Sequence, residues 1–552
     1  MKTSARSSDV ESGIFEPLAR ERIWTRASHG RGRGFRVALL AATVFLWGIS
    51  ASAQDLSIGL AAESSSLDPQ FYATVSNESL AQHFFDPLIR QDEHQRLLPG
   101  LAESWRAVDA TTWEFRLRPG VTFHDGSDFT AEDVAATIRR APRVTSNPGS
   151  FAIYARAIKE IEILDPLTIR FHTATPYPLL PNDLSALEII SRRFESATTE
   201  DFNSGRAMIG TGPFRFTGWR PGESVSMERN DGYWGAKPAW AHVTLKPISN
   251  DSARVAALLS GGVDVIEGVP TSILASLRQR PDVALAQAVT NRLIYLQIDV
   301  AREHSPFVTD RAGRPLDRNP LQDRRVRLAI SKAINRPAIV EHVMEGAAEP
   351  AGQLLPAGYF GVSPRLSPEA FDPEGARRLL AEAGYPDGFG ITVHGPNDRF
   401  LNDERILQAI GQMLARVGID AKVEALPSSI YFPRAAKSEF SLFLVSWSSE
   451  TGEPSGPLRG ILATRDPSRG WGASNRGGYS SPPLDAALGE ALGTIDEPRR
   501  EQLLQRATET AIGDLAIVPI QFQVAIWGMR PGLGYVPRSD GFTLAQAVSE
   551  KP

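Results

Sequence analysis

The stretch ERILQAIGQMLARVGIDAKVEA, residues 404–425, changes its apolar period once, and that change sets the fold class. Ile406, Ile410, Met413 and Val417 recur at helical spacing on one face, Gly418 stops the pattern, and from Ile419 apolar and polar residues alternate as on a half-buried strand. A helix that passes through one glycine into a strand is the repeating unit of an α/β domain. The same punctuation returns on either side. Asn319-Pro320 caps a helix that places Val326, Ala329, Ile330 and Ala333 at i, i+3, i+4 and i+7. Asp372-Pro373 opens another, which closes at Gly384 with Pro386 beyond it. Downstream, FSLFLVSW (residues 440–447) forms an apolar strand-like run that ends at Trp447. These units predict a mixed α/β lobe over residues 295–518.

The preceding region has a different texture. Residues 54–294 hold short runs bounded by turn signals, such as TWEFRLRPG, LTIRFHT and GTGPFRFTGW, which predict an N-terminal lobe with an additional β-rich subdomain. Leu56, Ile58 and Leu60 alternate in QDLSIGL as its first strand. The polar segment 301–319 reads as an exposed insertion, and residues 519–552 as a return segment packing on the first lobe. At 552 residues and 42% hydrophobic content the chain is long enough for several cores.

Residues 1–53 carry the pattern of a secretory signal. Arg31, Arg33 and Arg36 precede the apolar run VALLAATVFLWGI (37–49), and Ser50-Ala51-Ser52-Ala53 forms an Ala-x-Ala cleavage site. Thirteen apolar residues fall short of the ~20 that span a bilayer, so stable membrane insertion after cleavage is not expected. The chain has no cysteine, hence neither disulfides nor a lipid-attachable thiol, which points to release into a periplasm. The segment takes eight Lys/Arg and four Asp/Glu from totals of 59 and 64, leaving the mature chain at a formal charge of −9. A nucleic-acid partner is therefore not expected.

Enzymatic signatures are missing. There is no G-x-S-x-G, H-E-x-x-H or P-loop pattern, and the nine histidines are scattered; His124 and His172 sit in strand-like runs, as packed residues do. No catalytic residue, resident metal or cofactor is expected.

Six motifs, in order, carry a resemblance: LDPQFY (67–72), GLAESW (100–105), RLRPGVTFHDGSDFTAEDV (116–134), TGPFRF (211–216), RNDGYWG (229–235) and DRRVRLAISKAINRPAIV (323–340). Together they resemble the peptide/nickel family (family 5) of periplasmic substrate-binding proteins of ABC importers, with dipeptide- and oligopeptide-binding proteins among them. The resemblance implies a class II two-lobed binding fold with an enlarged first lobe, mixed sheets and a hinge of two crossing strands. It also implies a monomer that closes on a small peptide or peptide-like ligand and hands it to an inner-membrane permease with its ATPase. A metal chelate or other non-peptide solute, such as an opine or a sugar derivative, is the alternative cargo; a secreted hydrolase is the alternative class.

The same resemblance designates ligand-binding candidates. A Trp followed three residues later by an acid, here Trp447 and Glu450, matches the family's means of pairing the peptide α-ammonium, with Glu in place of the family's Asp. Glu453 is the competing acid. Arg399 stands near the family's carboxylate-binding Arg, offset by two residues, and its planar fork suits that group. Tyr72 matches the first lobe's reach into the cleft, and Asn475 and Arg476 resemble a cleft-side loop of the second.

Overall fold

The computed structural model describes residues 55–449 and 451–551; the signal segment expected over 1–53 and the candidate ligand Glu450 lie outside them. Strand β1 (Asp55–Leu60) turns Leu56 and Ile58 into the core and pairs in parallel with β2 (His242–Pro247) and β3 (Val265–Ile266). The long strand β4 (Ala284–Ile298) follows, then β5 (Phe389–Pro396), β6 (Ile419–Leu426), β7 (Leu442–Trp447) and a second long strand, β8 (Ile517–Met529). Across the large sheet the order is β5-β7-β4-β8-β3-β1-β2, with β6 parallel to β5.

Strands β4 and β8 run antiparallel and serve both lobes. At one end β7 pairs on β4 through Leu293↔Trp447 to Ile298↔Leu442, and at the other β3 pairs on β8 through Val265↔Met529. The register of β4 against β8 shifts between Val289 and Leu293, so Thr290, Asn291 and Arg292 form a bulge midway along the ribbon. The two-lobed α/β arrangement on two shared strands is what the sequence predicts.

In the second lobe, alternation does not separate apolar from polar, because both faces of the sheet are covered. Leu442 and Leu444 of β7 join Ile294 and Leu296 of β4 in one core, while Phe443 and Val445 join Leu293 and Tyr295 in another. Helix α1 (Arg324–Ala333), α2 (Pro373–Glu382) and α3 (Asp403–Ala415) close the first face, and α4 (Glu497–Gly513) the second. The expected stripe on α1 is buried in full, Val326, Ala329, Ile330 and Ala333 being at most 1% exposed. Its start is not where Asn319-Pro320 would put it. Asn319 caps only a single 3₁₀ turn, Pro320–Gln322, and Asp323 begins the α-helix proper by accepting from Arg325 N at 2.8 Å. On α3 the core is filled by Ile406, Leu407, Ile410 and Leu414, with Met413 only partly covered. The insertion 301–319 contributes a short edge strand, Val308–Thr309, against β5, so it is only in part a solvated loop.

Five of the six motifs act as framework. Asp68 of LDPQFY forms a bidentate, fully buried ion pair with Arg140, with Nη1–Oδ1 at 2.9 Å and Nη2–Oδ2 at 2.7 Å, on the helix that TAEDV begins. Gly212 of TGPFRF lies so close to the chain at Phe84 that an added Cβ would fall 2.4 Å from its carbonyl carbon. His124 packs beside it, its pKa lowered by burial to about 4 and its Nε2 3.0 Å from Gly212 O. Trp234 of RNDGYWG donates to Asp86 Oδ2 at 2.8 Å. In the last motif, Arg327 donates to the carbonyls of Leu321, Gln322 and Asp514, and Arg336 to those of Pro519, Ser331 and Glu369, fixing α1 to the start of β8.

One buried acid lies between the lobes. Asp183, in the short helix Leu180–Leu184, accepts from Tyr177 OH at 2.7 Å. Burial pushes its pKa up to about 7; Tyr177 and the charges of Arg459 and Arg156 oppose the rise, and the second lobe's Glu453 adds to it.

Two outcomes follow for stability. Asp68→Asn leaves Arg140 buried without its partner and should cost about 3–5 kcal/mol, read as a lowered denaturant midpoint with unchanged slope. Asp183 keeps its proton in the folded chain up to about pH 7 but loses it near 3.8 when unfolded. The folded state therefore binds more protons across that window, and stability falls as pH rises through it. Asp183→Asn should flatten this part of the slope, measured as denaturation midpoints across the window.

Candidate functional site

Strands β5, β6 and β7 are parallel and end together at Pro396, Leu426 and Trp447. Their following loops therefore share one edge of the second lobe, the carboxyl edge, where ligands of open α/β sheets bind. First-lobe residues meet this edge. Asn402, held at φ 57°, donates through Nδ2 to Thr271 Oγ1 at 3.0 Å. Asn182 Nδ2 donates to Thr451 O at 2.8 Å. Gly452 sits against Gln95, an added Cβ falling 3.0 Å from the Gln95 Cβ.

The loop after Trp447 owes its shape to hydroxyl and amide contacts. Ser449 is buried, donates through Oγ to Glu453 O at 2.7 Å and accepts from Glu453 N at 3.2 Å, and Gly452 takes a positive φ of 67°. Asn291, in the β4 bulge, holds it from below: its Nδ2 lies 2.6 Å from both Ser449 O and Gln95 Oε1. Trp447 is half-buried and its six-membered ring abuts Gly460, where an added Cβ would come 2.5 Å from Cη2. One broad apolar ring thus lines the edge beside a pinned polar loop.

The sequence-derived candidates divide. Trp447 stands on this edge. Glu450 lies outside the described residues. Glu453 is 2% exposed and ion-paired with Arg500 of α4, so its carboxylate is already engaged inside the second lobe. Asn475 is likewise occupied: Nδ2 donates to Ala463 O at 2.9 Å and Tyr479 O at 2.7 Å, and Oδ1 accepts from Tyr479 N at 3.1 Å. Arg476 is half-buried beside Tyr295 and Tyr431, and among the described residues no acid pairs with it. Arg399 is exposed on the loop after β5; its backbone N–H donates to Asp403 Oδ2 at 2.8 Å, leaving the guanidinium unpaired among the described residues. Tyr72 lies in the first lobe with its ring against Gly149, and no contact among the described residues joins it to Trp447.

Four positions escaped the sequence analysis: Gln95, Asn182, Asn291 and Arg292. One trace was available, the polar triplet Thr290-Asn291-Arg292 interrupting the strand run ALAQAVTNRLIYLQI. Among the described residues, no cluster of three or more His, Asp or Glu could hold a metal ion, and no helix is long and apolar enough to cross a membrane.

Known proteins resemble this chain over nearly its whole length. The glutathione-binding protein GsiB of Pectobacterium atrosepticum is 29% identical over 493 residues, covering 87% of this chain and 90% of that protein. GsiB of Escherichia coli K12 is 28% identical over 511 residues, covering 90% and 93%. Among solved structures, HbpA2 of Haemophilus parasuis superposes with a TM-score of 0.78 at 23% identity, covering 90% of this chain and all of its own. The periplasmic binding protein DppA of Helicobacter pylori, in complex with the peptide STSA, gives 0.68 at 24%, covering 90% and 98%. Residues 96–468 match the family model described as the middle region of bacterial extracellular solute-binding proteins, family 5, and to that family this chain belongs.

Proposed function

We propose that the protein is the periplasmic solute-binding component of an ABC importer, delivered by its signal segment, and that it captures a small peptide or peptide-like molecule. The carrying observation is the carboxyl edge of the second lobe. There Trp447 ends β7, the Arg399 guanidinium, without an ion pair among the described residues, stands on the loop after β5, and loops of this edge touch the first lobe. The names of the relatives, glutathione-binding proteins over nearly the whole chain, support a peptide-like cargo.

In this scheme ligand binds one lobe first, and contacts added by the other shift the population toward a closed form that the permease recognises. Closure strips water from the ligand's charged ends, so each end needs a partner of opposite sign. Arg399 receives the terminal carboxylate, and Glu450 pairs with the α-ammonium. Trp447 supplies apolar area whatever the ligand's charge. Ligand is held and released unchanged, because no nucleophile or activated water is part of the scheme.

Mass spectrometry of small molecules retained on natively purified protein should recover an unmodified peptide, and scattering should show compaction when it is added back. Recovery of a hydrolysed product would overturn the binding role. By calorimetry, Glu450→Gln should weaken binding of that peptide by roughly 2–5 kcal/mol, and a version lacking its ammonium group should bind parent and variant alike. Trp447→Ala should weaken both versions equally.

A further inference from the structure

Arg292 stands where the ribbon changes lobes. The other members of its bulge are committed to holding the backbone: Thr290 Oγ1 donates to Gln523 O at 2.7 Å, and Asn291 is fixed by Gln95, Ser449 and a backbone bond to Ser539 O at 3.2 Å. The Arg292 N–H donates to Thr290 Oγ1 at 3.3 Å, while its guanidinium takes no part in the bulge. Since Leu293 is paired with Trp447, Arg292 lies level with the residues just past the end of β7, on the same edge as the Arg399 loop.

Both side chains start from the same edge of the sheet, on or just past strands separated only by β7. Arg292 is half-buried, and desolvation together with the nearby Arg399 charge lowers its affinity for its own proton. Among the described residues no acid forms an ion pair with either. Asp398, adjacent to Arg399 in the chain, accepts from Ser428 N at 2.8 Å and senses Arg399 only through space. Other arginines of the second lobe have acid partners: Arg434 has Glu439 and Glu424, Arg500 has Glu453, and Arg302 has Asp299. A half-buried guanidinium beside a like charge is unfavourable by itself, and a local conflict of that kind marks a place where something else binds. Two guanidinium forks on one edge suit an anion with two or more oxygens.

We infer that Arg292 and Arg399 form a two-guanidinium anion site on the second-lobe edge of the cleft, so that the preferred ligand is an acidic peptide with a carboxylate beyond its terminal one. This rests on the peptide reading above: with Arg399 on the terminal carboxylate and no acid among the described residues paired with Arg292, a second anionic group on the ligand meets its charge.

Two measurements test it separately from that reading. Glutarate, which has two carboxylates and no amine, should raise the melting temperature of the parent protein but not of Arg292→Gln, while acetate at the same concentration shifts neither. By calorimetry, Ala-Glu-Ala should bind the parent roughly tenfold or more tightly than Ala-Gln-Ala. Arg292→Gln should bring that ratio near one, chiefly by weakening Ala-Glu-Ala. If neither tripeptide binds and glutarate still stabilises only the parent, the anion site stands and the peptide reading falls. If glutarate stabilises parent and variant alike or neither, or if the variant keeps the Glu-over-Gln preference, the anion site is overturned. Equal weakening of both peptides would also overturn it, since the charge of Arg292 would then be answered by an acid of the chain itself.

Discussion

The antiparallel ladder between β4 and β8 is the constraint on which the molecule turns. Every strand of the large sheet is hydrogen-bonded, directly or through neighbours, to one of these two, so each lobe grows outward from a shared ribbon. Lobe movement must be absorbed by that ribbon. A ladder of in-register bonds resists bending, but the Thr290–Arg292 bulge removes the regular bonds at mid-length, which is where a twist can be accommodated. Placing Asn291 there joins hinge and site: the side chain that bonds the post-β7 loop also bonds Gln95 of the first lobe.

The helices and strands of the second lobe were legible because their apolar periods differ, as in residues 404–425, and because a sheet buried on both faces leaves runs such as LFLV without polar breaks. The misplaced start of α1 has a local cause. Asn319 and Asp323 are both good caps four residues apart, and Pro320 suits a 3₁₀ turn as well as a first α-turn. The motifs that marked the family were recognisable for a related reason: Asp68, Gly212, Trp234 and Arg336 fix backbone to backbone, and framework tolerates little variation in residue type.

The candidate site was far less legible. Glu453 lies on the expected loop, and only the fold reveals that Arg500, 47 residues further on, holds its carboxylate in the interior. Asn475 similarly looks available in sequence and is occupied by its own loop. Conversely, Gln95, Asn182 and Asn291 lie in three distant segments, and apart from the polar triplet around Asn291 nothing in their local spacing announces that one loop will gather them. Local pattern encodes elements; the convergence of side chains from separate elements is a property of topology.

The arginines of the second lobe fall into two electrical situations. Arg327 and Arg336 are sealed inside, and their bonds to main-chain carbonyls set positive charge against fixed dipoles at contact distance. Dissolved ions cannot enter to screen such contacts. Arg399 faces water, where a counter-ion atmosphere forms freely. Brine and dilute medium should therefore leave the α1–β8 joint equally firm while changing how strongly the cleft mouth attracts an approaching anion. Ionic strength then governs the speed of capture and leaves the architecture alone.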